Sequence, residues 1–129
     1  MTENPVTIRR AESDADGDAL RDLYTEVFRP EPVDVLAETL FHQMPRMDRR
    51  YWLMAEDPAD GVLVGACALI PWTWEMDGVR LRVAEMGLVG TRPSHQGAGV
   101  MRALSEEFAR ILTDEEFDLS AIQGIPGFY

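Results

Sequence analysis

The sequence predicts a mixed α/β domain in which one central sheet carries helices on both faces. Three features predict it: two helical patterns near the N-terminus, several strand patterns joined by turn residues, and a helix between the last two strands. That last connection requires a right-handed crossover between parallel strands, whereas hairpins join antiparallel ones. With 129 residues, the chain is expected to form one domain, residues 1–129.

The N-terminal third predicts one strand and two helices, at 6–10, 15–28 and 33–44. Ser13, Asp14 and Asp16 are capping candidates for the first helix, and prolines follow both helices, where they end a helical pattern. In the second helix, the apolar residues predicted to share one side are Val35, Leu36, Leu40 and Phe41.

From residue 51 the apolar period changes to that of strands, and Met76-Asp77-Gly78 indicates a tight hairpin. A helical pattern follows a Gly/Pro loop, and the chain then returns to a strand pattern. These elements are strands at 51–55, 62–74, 79–89 and 117–123 and a helix at 100–115. The complete predicted order is β-α-α-β-β-β-α-β.

Composition and charge exclude several classes of function. The formal net charge is −11, which disfavours nucleic acid and acidic membranes as partners and suits a cationic substrate. All basic residues are Arg, so a Schiff-base lysine and a nucleoside-triphosphate P-loop are excluded. One cysteine and two histidines cannot form a structural zinc site alone or an intrachain disulfide, and no metal is predicted. No secretory signal is visible, so a cytoplasmic protein is expected.

The segment 88–101 carries the most chemical information. It predicts the end of a strand, a loop containing Gly97 and Gly99, and the first turn of a helix. Amides at a helix N-terminus lack intrahelical acceptors and bind anions such as pyrophosphate, although a plain glycine-rich turn would have the same composition. A dinucleotide fingerprint would require Gly or Ala where this chain has Arg102.

Gln96-Gly97-Ala98-Gly99-Val100-Met101 resembles the Q/R-x-x-G-x-G/A motif of the GCN5-related N-acetyltransferase (GNAT) superfamily. Met101 stands where Gly or Ala is usual, which is similar to the enhanced-intracellular-survival type. The element order matches the first two-thirds of the superfamily fold, and the Phe128-Tyr129 pair is similar to the family's pair at the start of the next helix.

The resemblance implies the acyl-CoA N-acyltransferase (GNAT) fold, apparently truncated after the fifth strand, and acetyl-CoA as co-substrate. It implies that strand backbone binds the pantetheine arm, that loop amides bind the pyrophosphate, and that strands four and five splay apart. An amide near Val89 would stabilise the oxyanion. The cofactor-binding residues implied are Leu88, Val89, Gly90, Gln96, Gly97, Ala98, Gly99, Val100 and Met101.

Two residues are candidates for acid–base chemistry. Tyr129 occupies the position of the family's general acid, or it is an aromatic anchor of the helix start. Glu85 is the candidate base. Strict alternation puts it on a face with Val83 and Val89, where a carboxylate is costly, so it either faces a cleft or is turned outward as a solvated charge.

Other residues have less specific interpretations. Trp72 and Trp74 share a strand face and either wall an acceptor pocket or pack the hairpin. His95 is expected to be a solvated loop residue, His42 a structural one, and Cys67 a core residue.

Transfer of acetyl to a primary amine of a small molecule or peptide is therefore the leading hypothesis. A silent CoA-binding module and an acyltransferase for another acyl chain are the alternatives. A homo-oligomer is left open, because the final strand is predicted to lie at a sheet edge.

Overall fold

The computed structural model describes residues 6–28 and 33–122. Its helices and strands follow the predicted order, and each predicted boundary on described residues lies within two residues of the observed one. Two short 3₁₀ turns, Arg49–Tyr51 and Pro93–His95, were not predicted. The elements are β1 (Thr7–Arg10), α1 (Asp14–Val27), α2 (Val33–Gln43), β2 (Trp52–Glu56), β3 (Leu63–Met76), β4 (Val79–Thr91), α3 (Val100–Asp114) and β5 (Leu119–Ile122).

The strands form one mixed sheet in the order β1-β2-β3-β4-β5. The first three pairs are antiparallel, and β4 and β5 are parallel, because α3 returns the chain across the sheet between them. One apolar cluster joins the sheet to α1 and α2, and a second joins the opposite face to α3. The predicted mixed sheet with helices on both faces is confirmed.

The start of α1 is fixed by side-chain hydrogen bonds. Ser13 and Asp16 form a capping box, in which each side chain accepts from the other residue's backbone amide. Arg9 of β1 donates to both oxygens of Asp16 at 2.6 and 3.0 Å. These bonds lower the pKa of Asp16 well below its usual range and tie α1 to the sheet.

The predicted apolar side of α2 is wrong in part. Phe41 and Ala37 are buried, but Val35 and Leu36 are 59% and 49% exposed. The helix contacts the core through a narrow stripe around Phe41, whose ring lies 6.0 Å from the ring of Trp52. Because the buried stripe of α2 is only about one residue wide per helical turn, the spacing of apolar residues in the sequence does not show which of them are buried.

The β3–β4 hairpin ends in a two-residue turn. Asp77 and Gly78 have φ of 51° and 79°, the left-handed values that a tight hairpin of this kind requires. Met76 pairs with Val79 across it, which sets the register of the whole hairpin. Within the described ranges, no helix is long and apolar enough to cross a membrane. The cytoplasmic location stays a prediction.

Candidate functional site

The predicted loop leads directly from β4 into α3. Gly97 and Gly99 both adopt left-handed backbone, with φ of 79° and 82°, and Gly99 is the residue that precedes the first turn of α3. A Cβ at Gly97 would meet no atom within 4 Å, so the loop is open on that side. Glycine is needed at both positions because other residues are strained there.

Most amides of residues 96–102, where the loop enters α3, are free to bind a ligand. Those of Gln96 and Ala98 donate to Pro93 O at 3.4 Å and His95 O at 3.2 Å, so these two are already engaged. Within residues 33–122, five other backbone amides in this segment donate to no backbone or side-chain acceptor. Three of them lie in the first turn of α3, because the first intrahelical bond joins Ala103 N to Gly99 O. This group is Gly97, Gly99, Val100, Met101 and Arg102.

Arg92 anchors the start of the loop. Its backbone amide and its Nε each donate at 2.7 Å, to Val64 O and Leu63 O of β3 respectively. Its guanidinium also forms an ion pair with Glu26 of α1. Arg92 therefore connects the end of β4 to both a neighbouring strand and a helix, which fixes where the loop begins.

His95 anchors the loop to the turn between β2 and β3. Its Nε2 lies 3.1 Å from Asp57 Oδ2, and the residue is half-buried, so it is not the solvated loop residue expected from the sequence. The amide of Ala59 and the ring of His95 both hydrogen-bond to the Asp57 carboxylate, which lowers its pKa.

The start of α3 is seated on β3 at a glycine. A Cβ at Gly65 would lie 2.6 Å from Val100 Cγ1 and 3.2 Å from Gly90 O. Val100 is 2% exposed and belongs to the core cluster on the α3 face. The absence of a side chain at residue 65 thus lets the first turn of α3, with its free amides, lie directly against the sheet.

A β-bulge interrupts β4 immediately before the loop. Ala68 pairs with Gly87 but Ala66 pairs with Gly90, so the register assigns no β3 partner to Leu88 or Val89. Leu88 has a φ of 48°, a left-handed value that is strained for a leucine. Leu88 packs against the α1–α2 cluster, whereas Val89 packs against the α3 cluster.

The bulge determines whether Glu85 and Val89 lie on the same face of the sheet. Glu85 pairs with Ile70, and Val83 pairs with Trp72, so these side chains share the α1–α2 face of the sheet. The predicted shared face is right for Val83 and wrong for Val89, because the extra residue at the bulge inverts the alternation between Glu85 and Val89.

Glu85 is held by an indole. Trp72 Nε1–H donates to Glu85 Oε1 at 2.7 Å, and Glu85 is half-buried. Trp72 and Trp74 are 45% and 42% exposed, so the indoles are not buried by packing within the hairpin. A carboxylate and two accessible indoles therefore share one face beside the bulge.

The structure tests some of the remaining predictions and not others. Tyr129 lies outside the described residues, as does Phe128, its partner in the pair that resembles the start of the family's next helix. The splay of strands four and five stays a prediction, because the described pairing ends at Met86 and Ile122. Cys67 is fully buried, as predicted, and burial raises its thiol pKa to about 12.

His42 is exposed at the end of α2, with its ring 5.0 Å from that of Phe41. Among residues 6–28 and 33–122, no group of three His, Cys, Asp or Glu side chains could hold a metal ion.

Sequence reasoning missed Arg102 and the Trp72–Glu85 contact. Arg102 is exposed in the first turn of α3 and forms no ion pair with the described acidic residues, so it is a cation beside the free amides. The sequence did contain a signal for Arg102, because an arginine in the first turn of the predicted helix 100–115 lies close to its free amides. The hairpin turn fixes the pairing of Trp72 with Val83, from which the diagonal contact with Glu85 follows.

The fold and site define a class: a mixed α/β domain with an open glycine loop and free backbone amides between β4 and the following helix. The model of a family described as an acetyltransferase (GNAT) domain matches residues 7–129. The chain therefore belongs to the GNAT acetyltransferase family. Among curated proteins, no sequence matches it significantly.

Solved structures with the same fold share little sequence with the chain. A probable N-acyltransferase from Enterococcus faecalis V583 matches with a TM-score of 0.77 and 20% identity, covering 93% of this chain and 29% of that one. Eis1 from Mycobacterium abscessus matches with a TM-score of 0.75 and 17% identity, covering 95% and 29%. The Escherichia coli GNAT-family N-acetyltransferase YhbS, solved in complex with CoA, matches with a TM-score of 0.75 and 22% identity, covering 100% and 68%.

The chain thus spans less than a third of the length of the Enterococcus faecalis and Mycobacterium abscessus proteins.

Proposed function

We propose that the chain, as a single GNAT domain, transfers acetyl from acetyl-CoA to a primary amine of a small molecule or peptide. The observation that carries the proposal is the set of free amides at Gly97, Gly99, Val100 and Met101, at the positive end of the α3 dipole. Membership of the GNAT family supports it, and YhbS is a family member of the same fold that binds CoA.

In this proposal, the amides of residues 96–101 bind the pyrophosphate, with those of Gln96 and Ala98 first releasing their present acceptors. Arg102 adds a positive charge beside it. The backbone of Leu88, Val89 and Gly90 binds the pantetheine arm. The interrupted ladder at the bulge supports this role for Leu88 and Val89, which have no β3 partner, whereas Gly90 pairs with Ala66.

The reaction is a direct attack on the thioester. The neutral amine nitrogen forms a bond to the carbonyl carbon, the carbon–sulfur bond breaks, the nitrogen loses a proton and the thiolate gains one. We assign the proton acceptor to Glu85, the donor to the thiolate to Tyr129, and oxyanion stabilisation to the backbone N–H near Val89. Four residues of extended strand span roughly 13 Å, so protons reach Glu85 through bridging water.

A matched pair of glycine variants tests cofactor binding. Gly97→Asp puts a negative charge beside the free amides, whereas Gly78→Asp puts the same charge at the hairpin tip, at the same φ of 79° and in equally open space. Calorimetry should show acetyl-CoA binding weakened at least about tenfold in Gly97→Asp and unchanged in Gly78→Asp. Equal binding by both variants would contradict the proposal.

Turnover separates an enzyme from a silent CoA-binding module. Thiol release from acetyl-CoA should depend on an added primary amine and should fall in Tyr129→Phe. Tight cofactor binding with no turnover across a panel of amines would instead indicate the silent module, and faster reaction with a longer acyl-CoA would indicate a different acyl donor.

We further propose that the domain is of the enhanced-intracellular-survival type. Two observations support this: Met101 at the last position of the motif, and the presence of Eis1 among the structures of the same fold.

A further inference from the structure

Glu85 is restrained by one hydrogen bond that joins the two strands of the hairpin. Trp72 and Glu85 are diagonal neighbours across β3 and β4, and the indole N–H donates to Oε1 at 2.7 Å. A hydrogen bond to a charged acceptor is stronger than one between neutral groups, and an indole offers a single donor in a fixed direction. The bond therefore orients the carboxylate and engages only one of its oxygens.

The other oxygen of Glu85 is available. In the part of the chain that the structure describes, Oε2 accepts no hydrogen bond and Glu85 forms no ion pair with an arginine. The carboxylate thus keeps an uncompensated negative charge on a face whose neighbouring residues are Ile70, Val83 and Trp72, with Trp74 two residues further along β3. Such a charge attracts a cation that can approach from the solvent side.

The indoles suit the apolar part of such a cation. Trp72 and Trp74 lie two residues apart on one face of β3, a separation of about 7 Å along the strand, and both are close to half exposed. An alkyl chain can lie along them while its ammonium group reaches Glu85, and an ammonium over an indole is itself favourable. Two exposed indoles beside a fixed carboxylate therefore match an aliphatic primary ammonium.

We propose that Trp72 is a positioning residue for Glu85, and that the pair, with Trp74 beside it, forms a subsite for an aliphatic primary ammonium group of the acceptor. This rests on the proposed transfer of acetyl to an amine and names the chemical class of that amine. The ammonium first binds at Oε2. The amine then moves along the strand to the thioester near Val89, and the proton that its nitrogen loses reaches Glu85 through bridging water.

Amine binding can be measured without turnover. The chain has three tryptophans, so a ¹⁵N-labelled sample gives three indole N–H signals, which Trp72→Phe and Trp74→Phe assign. Pentylamine is protonated at pH 7 and should shift the Trp72 signal saturably, whereas 1-pentanol, of the same chain length, should not. The shift should vanish in Glu85→Gln. An equal response to pentanol, or a retained shift in Glu85→Gln, would overturn the subsite.

Kinetics test the positioning role. Trp72→Phe keeps a ring but removes the donor, so kcat for pentylamine should fall roughly tenfold with little change in KM. Trp74→Phe removes no bond to Glu85 and should change KM rather than kcat. The melting temperature and acetyl-CoA affinity of both variants should match those of the parent, because both indoles are partly exposed.

The outcomes separate this inference from the proposed function. Turnover of pentylamine with the same kcat in Trp72→Phe and the parent protein would overturn the positioning role and leave the acetyltransferase intact. Failure to bind acetyl-CoA would overturn the acetyltransferase, while the pentylamine titration would still decide whether the ammonium subsite exists.

Discussion

Gly65→Ala should disturb the candidate cofactor site, because it displaces the start of α3, which carries free amides of that site. The new Cβ would lie 2.6 Å from Val100 Cγ1 and must move about 0.8 Å away to reach the 3.4 Å at which ordinary contact begins. Val100 is β-branched and buried, and Gly90 O, a backbone atom, lies 3.2 Å away on another side, so the start of α3 has to shift.

Overpacking of a core costs about 1–3 kcal/mol, and replacing a strand glycine by alanine returns roughly 0.5–1 kcal/mol. Because both crowded neighbours are rigid, the cost should lie in the upper half of its range. The free energy of unfolding should therefore fall by about 1–2.5 kcal/mol, which lowers the melting temperature by roughly 3–10 °C. Acetyl-CoA binding should weaken about tenfold, because the amides that begin at Val100 move with the helix.

Two further variants make this reasoning refutable. Gly87→Ala also crowds a neighbour, at 2.9 Å, but that neighbour is the terminal Cδ1 of Ile70, which can rotate away, so its stability should be nearly unchanged. Val100→Ala removes the clashing methyl group, so the double variant with Gly65→Ala should be at least about 1 kcal/mol more stable than the sum of the single effects predicts. Additive effects in denaturant titrations would refute the proposed contact.

Three other predictions concern stability and reactivity. Asp16→Asn should lower stability by about 2 kcal/mol at pH 7, because Arg9 loses a charged acceptor. Since the pKa of Asp16 is lowered by folding, its contribution is complete above about pH 4 and is lost as pH falls further, so acid titrations of the two proteins should converge. Cys67, with its pKa of about 12, should react with a thiol reagent at pH 8 only as fast as the protein unfolds. Tyr24→Phe should leave stability unchanged or raise it, because the buried Tyr24 hydroxyl has no partner among the described residues, which unfolding in urea would reveal.

The elements predicted correctly are those whose conformation is determined by residues close together in the sequence. Asp77-Gly78 requires a two-residue hairpin turn, because both residues tolerate left-handed backbone, and the observed register follows from it. Ser13 and Asp16 mark the start of α1 because their side chains accept from amides that no helix can satisfy internally. In both cases, residues close in sequence determine the outcome.

The elements predicted incorrectly depend on packing that is distant in sequence. Leu88 adopts left-handed backbone, which leucine does not favour, so its own residue type gives no sign of the bulge. The conformation is imposed by tertiary packing, since Leu88 packs against one core cluster and Val89 against the other. The interaction of His95 with Asp57 likewise joins residues 38 positions apart.

The bulge at Leu88 puts the residues on its two sides on opposite faces of β4, and the proposed two-substrate reaction depends on it. A regular strand would put Glu85 and Val89 on one face, whereas the extra residue turns Glu85 toward α1 and α2 and Val89 toward α3. In the proposed function, the amine therefore approaches β4 from one face and the free amides of α3 hold acetyl-CoA at the other. The sheet separates these two faces wherever its ladder is intact, so the amine and the thioester can meet only where the ladder is broken. Among the described residues of β4, Leu88 and Val89 lack a partner on the β3 side, and the described pairing with β5 ends at Met86, so both sides of the strand are open at the bulge.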